Sequence, residues 1–286
     1  MSTTSWRPAA SWSTAGRRRL LALPILLVSL SAISFETMLT RYFAIASYAE
    51  FGYWVISMAM VGYGLSGVVM ALFSGAFLRW RRGLLSWLPV VLIFLAVLGF
   101  HLATINPFNP LALMNPVTMQ GQLVYIGLYY VCLFPFFFCA GLFIGLNFMA
   151  YREKVTTLYG ADMIGAGLGA LFILLLMFVL HPFYLVCAIL PMLFLAALAG
   201  MGELSGRGRV ALTAAALLAL AGGEAWLVTH NEARFFEYKA IYTALNVPDN
   251  TVVREIYSPK GYGMILDNFT ERRDIPVSNN LGLLGV

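Results

Sequence analysis

Long apolar runs, almost free of charge, recur along this chain at residues 20–45, 53–73, 86–105, 122–151, 163–180, 183–201 and 210–230. A helix needs about 20 apolar residues to cross a hydrocarbon core roughly 30 Å thick. Strands of a closed barrel would instead show about 10 residues of alternating polarity. The pattern predicts seven transmembrane helices. It breaks at Asn231. Beyond that point "ARFFEYKAIYTAL" reads as a short amphipathic helix ending before Pro248, while "TVVREIYS" and "GYGMILDNF" read as strands joined by a Pro-Lys-Gly turn. The expected fold is an all-α polytopic membrane protein of about seven transmembrane helices with a small C-terminal soluble segment containing a β-hairpin. Its parts are a basic cytoplasmic tail over 1–19, a membrane domain over 20–230 and a soluble segment over 231–286.

Composition agrees. Of 286 residues, 60% are hydrophobic and 11% charged, against about 25% charged in soluble domains. The formal charge of +5 taken alone would admit a nucleic-acid partner. Its distribution argues for membrane topology instead, because Arg7, Arg17, Arg18, Arg19, Arg79, Arg81, Arg82, Arg152, Lys154, Arg207 and Arg209 share one side of a seven-span chain. The opposite loops, at 46–52, 106–121 and 181–182, carry no Lys or Arg. The positive-inside rule then places the N-terminus in the cytoplasm and the C-terminal segment outside it, in an inner-membrane protein whose first partner is the lipid bilayer. The stretch "AGRRRLLALPILLVSLSAIS" resembles a secretory signal, but its apolar run outlasts a signal's core, so it is read as an uncleaved first helix.

"GAGLGA" at 165–170 formally fits the dinucleotide pattern G-x-G-x-x-G/A. That pattern needs a preceding strand and a βαβ setting. Here a charged loop precedes it and a span follows. The glycines are better read as packing positions: Gly165 with Gly169, and Gly141 with Gly145, each share one helix face at a spacing of four, and Gly62 belongs to a similar small-residue face. The expected pairing is a tight crossing of the fourth and fifth helices. Pro135 in the middle of the fourth span is expected to kink it.

Four ionisable residues are intramembrane polar candidates: Glu36, Arg41 and Glu224 within spans, and Asp162 where the fifth begins. Such residues usually face the bundle interior or a cavity. Glu36 and Arg41 are five apart, on different helix faces, so Glu36 is expected to find a partner on another helix and Arg41 to snorkel to the outer interface. Asp162 suits the first turn of a helix. A transporter of small solutes or lipid precursors using Glu36, Arg41 and Asp162 is one functional reading. No catalytic, cofactor or metal site is assigned: Cys132, Cys139 and Cys187 lie in spans as small apolar side chains, and His101, His181 and His230 are scattered.

In their order, "SFETMLTRYFAI", "LYGADMIGAGLGAL" and "YKAIYTALNVPDNTVVREIYSPKGYGMILDNF" resemble the membrane half of multi-pass spermidine synthase-like proteins. That resemblance implies a scaffold whose hairpin introduces a soluble aminopropyltransferase or methyltransferase-type domain using S-adenosylmethionine or its decarboxylated form. This chain stops at "NNLGLLGV", before any position that matches a cofactor loop or catalytic aspartate. The leading expectation is therefore an anchor or scaffold that binds a protein partner, joins a larger membrane complex or positions a soluble domain. Such a cofactor would enter only with a further domain, and the chain by itself is expected not to be an enzyme.

Overall fold

The computed structural model describes residues 11–47, 51–231, 233–237 and 239–268. Among the described residues seven helices are long and apolar enough to cross a membrane. They are α1 (Ser11–Ala46), α2 (Phe51–Leu72), α3 (Ser74–Ile105), α4 (Met119–Ala150), α5 (Val155–Leu176), α6 (Leu190–Ala199) and α7 (Gly206–Thr229). The short core of α6 reaches spanning length through 3-10 turns at Pro182–Ala188 and Gly200–Glu203. Beyond the bundle come α8 (Ala240–Leu245) and the strands β1 (Asn250–Tyr257) and β2 (Tyr262–Asn268). The helix α1 starts at Ser11, within the stretch read as a tail; residues 1–10 and 269–286 lie outside the described residues. Pro135 sits inside an α4 that stays helical from Met119 to Ala150.

Helix α1 is the central stave, touching α2, α4, α5 and α6. Its Phe35 is fully buried, with its ring centroid 4.3 Å from that of Phe136 and 6.0 Å from that of Phe137, both on α4. In a bilayer such van der Waals packing, more than any hydrophobic drive, holds helices together. Toward the end of α1, Tyr42 and Phe43 join a second aromatic group with Phe51, Phe100, Phe108 and Tyr129. Helix α7 is peripheral, lying on α3 and α6 along a narrow stripe of Leu212, Ala216, Gly223 and Leu227. Ser205 starts it by accepting a hydrogen bond from the Gly208 N–H at 3.4 Å.

The glycine pairs pack as flat faces, but with other partners than expected. A Cβ built on Gly165 would lie 2.9 Å from Leu26 Cα, and one on Gly169 2.9 Å from Leu30 Cα, so α5 lies backbone to backbone on α1. Gly141 and Gly145 instead face Ser66, Tyr63 and Met70 of α2. The tight α4–α5 crossing is thus overturned. Both helices were claimed by neighbours further along the bundle: α5 by α1, and α4 by α2 and α3. Gly62 packs on α4, where a Cβ would come within 2.9 Å of the Phe138 nitrogen. Gly99 makes an equally close approach to the Cys132 carbonyl that no spacing announced.

After α7 the chain turns back over the end of α1, where Phe236 N–H and Lys239 Nζ reach the Ala46 and Ala44 carbonyls. The amphipathic helix expected over 233–245 shrinks to Ala240–Leu245, because the backbone before it bonds elsewhere: Phe236 N–H donates to Ala46 O at 3.0 Å. The strands pair antiparallel from Asn250 with Asn268 to Tyr257 with Tyr262, with an irregularity between Val252 and Arg254. Ser258 and Gly261 close the turn through the Ser258 Oγ and the Gly261 N–H and carbonyl.

Candidate functional site

The intramembrane polar residues divide into separate places. Toward the basic end of the bundle, Asp162 of α5 accepts a hydrogen bond from the Ser29 hydroxyl of α1. The glycine seam explains why they meet, since Gly165 and Gly169 bring α5 against the α1 backbone one turn away on the same face. Nearby, Ser34 Oγ donates to the Gly169 carbonyl at 2.9 Å. Asp162 is thus an interhelical contact, seven residues into the helix rather than in its first turn.

Beside this contact lies a cavity of about 390 Å³ between α1, α2, α4 and α5. Its wall includes Asp162, Ser29, Tyr63, Ser66, Met70 and Phe148. Both Glu36 and Asp162 act electrostatically on the Tyr63 hydroxyl. Sequence reading found the carboxylates and missed the wall. One signal was available: Ser29, Ile33 and Glu36, at i, i+4 and i+7, share one face of α1.

Arg41 stands 12 residues beyond Ser29, roughly 18 Å along the helix. It reaches the soluble segment, with Nη2 donating to the Ser258 carbonyl in the hairpin turn at 2.9 Å. Lys239 Nζ donates to Ala44 O at 3.0 Å, and Asn231 Nδ2 donates to Phe183 O at 3.2 Å. Together with the Phe236–Ala46 bond, these fasten the C-terminal segment to the bundle. His181 completes the contact. Its ring lies 5.2 Å from that of Tyr262 and 5.7 Å from that of Tyr257, centroid to centroid, and 4.9 Å from that of Phe183.

Burial holds the His181 imidazole below its ordinary value, partly offset by the Glu255 carboxylate. The Tyr257 hydroxyl donates to Glu255, and that bond, with burial second, pushes its phenol up to about 12. Tyr262 is raised too, chiefly by burial.

Glu224 of α7 is apart from both places, within hydrogen-bonding reach of the Cys187 thiol. The structure therefore strings Ser29 with its partner Asp162, then Glu36, then Arg41 along α1 at successive levels, with Glu36 seven residues beyond Ser29 and five before Arg41, and sets Glu224 apart on α7. Among the described residues no group of three or more His, Cys, Asp or Glu could hold a metal ion. No protein-family model, curated protein or solved structure matches the chain.

Proposed function

We propose that this chain is an integral membrane anchor and scaffold module of the spermidine synthase-like kind, which holds its C-terminal segment in a fixed pose for a partner or further domain. The observation that carries this reading is the fastening of the hairpin to α1 through the Arg41–Ser258 bond, supported by Lys239 and the His181 aromatic group. A free tether would have no use for an arginine committed to a turn carbonyl. In this reading the basic loops face the cytoplasm and the hairpin faces the other side of the inner membrane.

The test has two readouts on the full chain in native membranes. Arg41→Gln should speed amide hydrogen exchange across residues 250–268 while leaving the spans protected, and it should release a stoichiometric companion or uncouple a downstream domain. Intact mass comes first: a product larger than 31.5 kDa by a domain identifies the cargo as covalent. A product of that mass, always monomeric and without companion, sinks the scaffold reading.

The cavity favours a second reading, transport of a small solute or lipid precursor past Glu36 and Asp162. Arg41 does not belong to that path. Cysteines introduced beside Glu36 and probed from both sides decide it: labelling from neither side removes transport.

A further inference from the structure

The cavity beside Asp162 has a lateral mouth. Gly67 and Met163 on its rim are exposed, and both lie within membrane-spanning helices, so the opening faces hydrocarbon and not water. It lies between α1, α2, α4 and α5, and its volume of about 390 Å³ falls within the range of about 300–1,000 Å³ usual for small-molecule sites. The wall is mostly apolar. Ile33, Met70, Ile144 and Phe148 line it, and the polar exceptions are Asp162, Ser29, Ser66 and Tyr63.

The charge balance of this wall is one-sided. No Lys, Arg or His is among its residues, while Asp162 lines it and the Glu36 carboxylate acts on its Tyr63. Ser66 Oγ is already committed to the Tyr63 carbonyl at 2.7 Å, and the Ser29 hydroxyl to Asp162. An ionised carboxylate offers about four acceptor positions and no donor. One serine fills one of them. The missing chemistry is therefore a donor with positive charge, and an ammonium supplies three N–H groups. Ser29 lies seven residues inside the first span, roughly 10 Å along the helix from its start. At that depth an ammonium arrives most readily on a molecule whose chain already lies in the bilayer.

We propose that this cleft is a binding site for an amphiphile of the bilayer bearing a primary amine, with the ammonium on Asp162 and the first part of its chain between Met70, Ile144 and Phe148. The site rests on the cleft alone and is independent of the hairpin contact, so Arg41→Gln in the full chain leaves binding intact whatever becomes of the scaffold reading.

The experiment uses the full chain in nanodiscs of phosphatidylcholine, which has no primary amine, and measures saturable binding of tritiated hexadecylamine. The expected result is one amine per chain, displaced by unlabelled hexadecylamine at least tenfold better than by hexadecanol. Asp162→Asn should weaken it at least tenfold. Gly67→Leu, at a rim position where an added Cβ meets nothing within 4 Å, places an apolar side chain at the mouth and should weaken it as much. Gly64→Ala, outside the cleft wall and meeting nothing within 4 Å, should stay within threefold. Should Asp162→Asn fail to fold, Gly67→Leu and the hexadecanol comparison still decide. Discs containing phosphatidylethanolamine identify the source: competition points to a lipid headgroup, and its absence to a single-chain amine. Binding that is unsaturable, equal for hexadecanol, or retained in Asp162→Asn or Gly67→Leu overturns the proposal.

Discussion

Two glycine pairs with the same spacing do different work in this bundle. Gly165 and Gly169 on α5 meet main chain, the Cα and carbonyl atoms of Leu26 and Leu30 on α1. Gly141 and Gly145 on α4 meet side chains, the Ser66 hydroxyl and the end of Met70 on α2. Main chain can yield only if a whole helix moves, whereas a side chain can rotate. The motif therefore states that a face is flat, and the identity of the opposing atoms states how much the flatness matters. The α2–α4 seam has its own close point at Gly62, whose neighbours include the main chain of Phe137 and Phe138.

The comparison breaks or sharpens by substitution, the largest effect first. Gly165→Val should destabilise the bundle by about 3 kcal/mol or more, at the upper end of overpacking costs, because two helices must separate. Unfolding of the purified protein in detergent reads this as a lost or sharply lowered transition, and a Leu26→Ala background gives no rescue. A rescue there would show that side chains, not main chain, set the seam.

Gly141→Ala should cost about 1–2 kcal/mol, since its Cβ would lie 3.1 Å from Tyr63 Cδ1 and 3.2 Å from Ser66 Cβ. Here Ser66→Ala should recover much of the loss, and a double-mutant cycle measures the coupling. Additive single effects would sink the side-chain account. Gly145→Ala should cost under about 1 kcal/mol, because the obstacle is the flexible end of Met70 and the added methyl favours helix. Gly64→Ala, which meets nothing within 4 Å, should be neutral or mildly stabilising; a loss there would run against helix propensity and would mean that contacts other than those between these helices set the cost at such positions.

The hairpin contact offers the mildest perturbation, one of pH. His181 is held neutral by burial among Phe183, Tyr184, Tyr257 and Tyr262, with Glu255 the charged group acting on it. Its folded value lies below the ordinary 6.5, so between the two values the released state binds more protons. Docking is complete above that range and weakens as pH falls through about 6.5. Hydrogen exchange over residues 250–268 should rise on acidification in the wild type and lose that dependence in His181→Gln.

The spans were legible because run length is a local property that needs no partner. The hairpin was legible from its strand composition and its Pro-Lys-Gly turn. Partner choice was not: nothing in the spacing of Gly165 and Gly169 says that the opposing helix lies 135 residues earlier, as the Ser34–Gly169 bond does. The same limit applied to "ARFFEYK", where helical periodicity was outbid by the tertiary bond from Phe236 to Ala46. Arg41 was read toward the outer interface, and its carbonyl acceptor at Ser258 could not be foreseen. For Asp162 and Glu36 the ionisable groups stood out at once, while the cavity wall is made of ordinary span residues.

The Ser29–Asp162 bond also has a clock in it. Its partners are 133 residues apart, and chains grow at about 5–20 residues per second, so the main-chain face of α1 at Leu26 and Leu30 waits on the order of 10 seconds for α5 to be made. During that interval the central helix of the finished bundle has α2 and α4 as partners but not α5, and the Ser29 hydroxyl lacks its Asp162 acceptor. That face of α1 is therefore completed only by the fifth helix, however early the first is threaded.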